Sequence, residues 1–142
     1  MPEESTTPDP VELTSRAFAC ANAADIRGIM SFVGSDSVWD ISRWAFGTRE
    51  GPKAIRRFLE DWIGSFAEYR RETEEIVDLG NGVVYAVTVT RGRPRAGRDE
   101  LRVRGAAVCL WAGSVATRVT FYRDINEARA AAERLAEERA HG

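Results

Sequence analysis

The hydrophobic period of this chain changes once, and that change restricts what it can fold into. Up to about residue 66 apolar side chains recur at helical spacing, most clearly as Ile55, Phe58, Leu59, Trp62, Ile63 and Phe66 behind Gly51-Pro52. From residue 69 the spacing drops to two. Residues 69–79 alternate loosely, Asn81-Gly82 supplies a two-residue hairpin turn, and residues 83–90 are rich in β-branched side chains. Residues 100–111, the pair Gly113-Ser114 and residues 115–122 continue the pattern. The second half therefore predicts a four-stranded meander.

Punctuation fixes the remaining elements. Asp9 and Pro10 open a first helix that carries Val11, Thr14, Phe18 and Ala21 and stops at Asn22-Ala23. Asp25 starts a short second helix through Ile29 and Phe32, ending near Gly34, and residues 37–41 form a strand. A loop over residues 42–50 leads into the third helix. Asp124 caps a final helix to about residue 139 with a thin stripe of Ile125, Ala128, Ala132 and Leu135. Helices followed by a long antiparallel meander predict an α+β fold, with helices covering one face of a curved sheet and a pocket between the layers.

At 142 residues, 44% hydrophobic and 30% charged, the chain is sized for one globular domain over residues 9–140. The polar, Pro-containing residues 1–8 read as a disordered tail, with neither the basic nor the apolar region of a signal peptide. No apolar run approaches the ~20 residues that cross a bilayer, so a cytoplasmic protein with no membrane association is expected. The single histidine, His141, lies on the polar end of the chain, which excludes Ser/His or Cys/His pairs and histidine metal ligands. Cys20 and Cys109 lie in apolar surroundings and read as small buried hydrophobes. No phosphate-cradling glycine motif or ligand cluster points to a nucleotide or metal, so no cofactor is expected.

The net charge of -2 gives no steering field for nucleic acid, although six arginines fall between Arg91 and Arg104. They span a Gly/Pro-containing segment, residues 91–98, without interleaved aromatics, and read as a solvated hairpin tip.

Asp40 is the chemical anomaly, a carboxylate inside the short apolar run Val38-Trp39-Asp40-Ile41. A carboxylate there must find partners or shift its pKa, and either outcome is chemically useful.

Three runs carry a resemblance. Residues 16–29 (RAFACANAADIRGI), Val38-Trp39-Asp40, and residues 51–58 (GPKAIRRF) together resemble the nuclear transport factor 2-like superfamily, and within it SnoaL-like and ketosteroid-isomerase-like proteins, over about residues 9–136. The resemblance implies a cone-shaped scaffold that hosts isomerases, cyclases, epoxide hydrolases, dehydratases and non-catalytic binders. It also implies that Asp40 stands where ketosteroid isomerases keep their proton-shuttling carboxylate. The positions of that enzyme's two oxyanion donors, a tyrosine and a protonated aspartate, are Ala17 and Ala107 here. The Asp/Arg/Asp trio of limonene epoxide hydrolases has no match on this chain either.

If Ala107 faces the pocket, alternation turns Cys109 and Trp111 the same way, with Arg118, Thr120 and Tyr122 on the next strand and Tyr85, Val87 and Val89 on the preceding one. Two readings of the resulting pair are open. Asp40 acts as a base or water-activating carboxylate, Arg118 orients it or neutralises an oxyanion, and Tyr122 or Tyr85 donates a hydrogen bond. Alternatively, Asp40 and Arg118 form a satisfied internal ion pair, or Arg118 points outward through a one-residue slip of register. Trp44, Phe58, Trp62, Tyr85 and Trp111 are the candidate ligand contacts, with Trp44 and Phe46 on a lid. The expected ligand is a hydrophobic small molecule, bound either by a cofactor-independent isomerase, cyclase or hydrolase or by a non-catalytic module. Val115, Val119 and Phe121, on the face opposite the pocket, predict a homodimer through the sheet.

Overall fold

The computed structural model describes residues 9–141, so the tail expected over residues 1–8 lies outside the described residues. Helix α1, Pro10–Asn22, starts where expected because the Asp9 carboxylate accepts a hydrogen bond from the Val11 N–H at 3.0 Å. Asp25 caps α2, Ile26–Met30, by accepting from the Gly28 N–H at 2.9 Å. Strand β1 is Val38–Asp40, strand β2 is Thr48–Glu50, and helix α3 is Gly51–Gly64. The long strands are β3, Phe66–Gly80, β4, Val83–Pro94, β5, Leu101–Ala112, and β6, Val115–Tyr122. Helix α4, Ile125–His141, follows, with the Asp124 carboxylate accepting from the Glu127 N–H at 3.0 Å.

The fold is α+β, and its sheet is larger than the meander. Six strands run in the order β2-β1-β6-β5-β4-β3, with β1 parallel to β6 and every other pair antiparallel. The segment read as a plain loop over residues 42–50 holds a 3-10 turn, Ser42–Trp44, and the edge strand β2. Three polar residues carry no periodic signal, which is why β2 is invisible in sequence. The Arg-rich tip is also shorter than expected, because Arg91, Gly92, Arg93 and Pro94 belong to β4 and pair with β3. The Asn81-Gly82 turn takes the two left-handed positions its residues favour, φ 57° and 81°.

Helices cover both faces of the sheet, rather than one. The concave face packs against α1, α2 and α3 through Val84, Ala86, Ala107, Cys109, Trp111 and Val119, together with Leu13, Phe18, Ile55 and Leu59. The convex face packs Val83, Tyr85, Val87, Val108 and Tyr122 against Ala128, Ala132 and Ala136 of α4. Register makes this division. Ala107 pairs with Ala86 on one side and Phe121 on the other, so Tyr85 and Val87, like Thr120 and Tyr122, lie on the opposite face from Ala107. The expected inward set on β4 and β6 is thus one residue out of register. Val119 and Phe121, two of the three residues expected with Val115 to form a dimer surface, pack towards the concave core.

The concavity comes from β3, whose pairing with β4 shifts register at three places, Phe66/Glu68, Thr73/Glu75 and Asp78/Gly80. Bulges of this kind bend a strand and strengthen its twist.

Candidate functional site

A cavity of about 170 Å³ lies between the concave face and helices α1 to α3. Its wall is mostly apolar and aromatic. Trp44, Phe58, Trp62 and Trp111 line it as expected, joined by Phe18, Trp39, Phe46 and Phe121. Tyr85 does not, because it lies on the convex face among the residues beneath α4.

Helix α3 supplies one wall because its apolar residues recur on a single stripe. Phe46, reaching from the loop before β2, meets Phe58 at 5.5 Å and Trp62 at 5.8 Å between ring centroids. The series continues through Phe66 to Tyr69 at 5.0 and 5.6 Å. Phe46 is one of two large apolar residues left exposed among the described residues, at 39%, as befits a side chain at the mouth. Trp44 reaches the sheet only because Gly105 has no side chain, since a Cβ there would come within 2.9 Å of the Trp44 ring and 2.7 Å of the Tyr122 carbonyl oxygen. Trp111 is fixed from behind. Its indole N–H donates to Thr14 Oγ1 at 2.9 Å, and that hydroxyl donates to the Pro10 carbonyl at 2.7 Å.

Two polar groups on this wall stand out. The indole N–H of Trp39 is buried and has no hydrogen-bond partner among the described residues. Arg71 projects from β3 into the cavity, level with Thr90 on β4 and Tyr69 two residues earlier on its own strand. Its Nη1 donates to Asn22 Oδ1 at 2.8 Å, and its guanidinium lies over the Phe18 ring at 4.7 Å. Burial holds Arg71 below the ordinary arginine range, opposed by the nearby Tyr69 and Cys109. Burial likewise raises Tyr69, whose hydroxyl donates to the Ala21 carbonyl at 3.2 Å, while Arg71 acts the other way. Cys109 is pushed up to about 12 by burial despite Arg71, so its thiol is neutral at physiological pH. It is no nucleophile there.

Arg71 escaped the sequence reading because it sits in the charge-rich run Glu68–Glu75, where Arg70, Glu72 and Glu74 are exposed. Only its parity with Tyr69 and Thr73, and the presence of Tyr69 itself, could have marked the face that turns inward.

Asp40, Arg118 and Tyr122 do come together, but behind the sheet. Val38 and Asp40 pair with Arg118 and Thr120, and this side of β1 and β6 faces α4. A second cleft of about 320 Å³ lies there, lined by Asp40, Arg43, Arg118, Tyr122, Arg134 and Glu138 among others. Asp40 is absent from the lining of the apolar cavity, whereas Tyr122 borders both spaces. The Asp40 carboxylate accepts from the Ser42 hydroxyl at 2.6 Å and the Ser42 N–H at 3.1 Å. Arg118 approaches its other oxygen at 3.3 Å and Arg43 at 3.9 Å. These contacts, led by the Ser42 hydroxyl and opposed by partial burial, hold Asp40 below the ordinary carboxylate value. Arg43 also lies over the Tyr122 ring at 4.3 Å.

Among the described residues, no cluster of three or more His, Cys, Asp or Glu side chains is arranged to hold a metal ion. No helix there is long and apolar enough to cross a membrane.

A family model described as the SnoaL-like domain matches residues 14–119. No curated protein matches the sequence. Several solved structures share the fold. A protein with a ketosteroid isomerase-like fold from Catenulispora acidiphila DSM 44928, in complex with trimethylamine, superposes with a TM-score of 0.70 at 16% identity, covering 88% of this chain and 92% of that one. An NTF2-like protein of unknown function from Burkholderia pseudomallei K96243 gives 0.69 at 16%, over 83% and 92%. TerC, co-crystallised with polyporic acid, gives 0.68 at 19%, over 88% and 99%.

Proposed function

The chain belongs to the SnoaL-like domain family, a scaffold whose chemistry is set by its cavity rather than its fold, and from that cavity we propose that this member binds a flat, apolar small molecule about one ring in size. The observation that carries the reading is the aromatic lining of a space of about 170 Å³. An engineered apolar cavity of roughly 150 Å³ binds benzene, so the volume suits a single ring with a small substituent. Larger molecules require Phe46 and Trp44 at the mouth to move. Structural neighbours of the same fold include proteins captured with small organic molecules, which agrees with this use of the scaffold.

Binding is favoured over proton transfer because, among the described residues, neither a carboxylate nor an imidazole lines the cavity. Catalysis by Asp40, Arg118 and Tyr122 would have to take place in the cleft beneath α4. There the lowered pKa of Asp40 makes it a weak base.

Filling the cavity tests the proposal. Ala17 lines it from α1, so Ala17→Phe occupies the space a ring needs while keeping a helix-compatible side chain. Toluene and indole are expected to raise the Tm of the wild type, by an amount equivalent to about 2.7 kcal/mol at a hundred times Kd, and to leave Ala17→Phe unmoved. Wild-type protein that ignores both probes, or an equal shift in the filled variant, overturns the assignment.

A further inference from the structure

The cavity contains one charge that no other group among the described residues balances. Among the described residues no carboxylate pairs with Arg71, although seven other arginines form ion pairs. Asn22 occupies Nη1. The edge made by Nε and Nη2, the one that grips a planar carboxylate with two parallel bonds, has no protein acceptor among the described residues. Cys109 cannot serve as counter-ion because burial keeps it a thiol, and the Tyr69 hydroxyl is already committed to the Ala21 carbonyl. An uncompensated cation drawn half-buried into an apolar wall is costly, and this one is also held in place. The Phe18 ring lies against its guanidinium carbon, and Asn22 holds one end. A guanidinium held by Phe18 and Asn22, with its Nε and Nη2 edge unpaired among the described residues and set at the edge of an aromatic space, is the arrangement of an anion receptor.

Resting on the binding role proposed above, we infer that the ligand is an aromatic or similarly flat organic acid, with its ring against Phe58, Trp62 and Trp111 and its carboxylate, or an equivalent planar oxyanion, on Arg71. The lining supports this polarity. Besides Arg71 it offers the Thr88 and Thr90 hydroxyls and the Trp39 indole, unpartnered among the described residues, which place no acidic side chain there to repel an anion. Charge selection falls to Arg71 and size selection to the rings.

Benzoate and benzamide separate the two contributions, since they share a ring and differ in charge. Calorimetric titration of the full chain is expected to show benzoate binding wild type at least about tenfold tighter than benzamide. In Arg71→Gln that ratio falls to about one. Arg71→Lys keeps a positive charge but loses the fork, so an intermediate ratio is expected, and it serves as the reporter should the glutamine variant fold poorly. Equal affinities on wild type, or a benzoate preference that survives in Arg71→Gln, overturn the inference and leave the ring-binding role standing. Failure of benzamide, benzoate, toluene and indole alike removes both.

Discussion

At the scale of single residues, Asp40 shows how a strong signal can be right about partnership and wrong about side. Its carboxylate is fully engaged by Ser42, Arg118 and Arg43. Those contacts favour the charged form, so the folded pKa lies below the unfolded value of about 3.9. The stabilisation is therefore present above that unfolded value and is lost as pH falls through the folded one. Asp40→Asn should cost on the order of 1 kcal/mol at pH 7. Urea midpoints measured from pH 7 downward should show the gap to wild type narrowing below about pH 4. A gap of constant size across that range would mean that the charge contributes nothing. The apolar neighbours that made Asp40 conspicuous could not tell which face it took, because Trp39 and Ile41 are buried while Val38 and Asp40 sit only partly shielded. Arg71 gave the reverse problem. It is surrounded in sequence by charges that do face solvent, so nothing distinguished it.

Among the elements, α4 approaches the sheet closely because Ala128, Ala132 and Ala136 form its inner stripe, all three buried. Ala132 is completely enclosed, so Ala132→Leu must push the helix off β4 and β5. A loss of about 1–3 kcal/mol in chemical denaturation is expected, and an unchanged midpoint would show that the packing can give. Most elements were legible because their periods and caps are explicit: α1, α3, α4 and the Asn81-Gly82 hairpin follow Asp9, Gly51-Pro52, Asp124 and the turn pair. The facing of β6 was not, and one bulge explains it. A bulge-free hairpin through Gly113-Ser114 would set Arg118 beside Cys109 on the cavity side. Instead the register shifts at Leu110/Trp111, Thr117 is the extra residue, and its hydroxyl donates to the Leu110 carbonyl at 3.2 Å. Arg118 then pairs with Leu110 and leaves the concave face. A one-residue insertion of this kind has no period for a sequence to display.

For the molecule as a whole, both sheet faces are accounted for. Helices α1 to α3 take the concave side and α4 much of the convex one. Of the convex surface beyond α4, Arg70, Arg91 and Arg102 occupy adjacent positions on β3, β4 and β5. None of the three has an ion-pair partner among the described residues. Two copies meeting through this face would set like charges against each other. The outer strand β3 alternates charged residues and is bulged, a pattern that discourages edge pairing. A sheet-mediated homodimer of the kind expected from Val115, Val119 and Phe121 would thus have to form against these charges, and sedimentation is expected to give a mass near the 15.8 kDa of one chain. A mass twice that would show pairing through a surface other than the one α4 covers.

The placement of α4 also bears on how the chain reaches this state. Every strand precedes in sequence the helix that shields the convex face, so a folding chain whose sheet forms before α4 docks carries Val83, Tyr85, Val87 and Val108 uncovered. Until the alanine stripe arrives, that face is open to the wrong neighbour, and a state with α4 undocked is the one expected to aggregate.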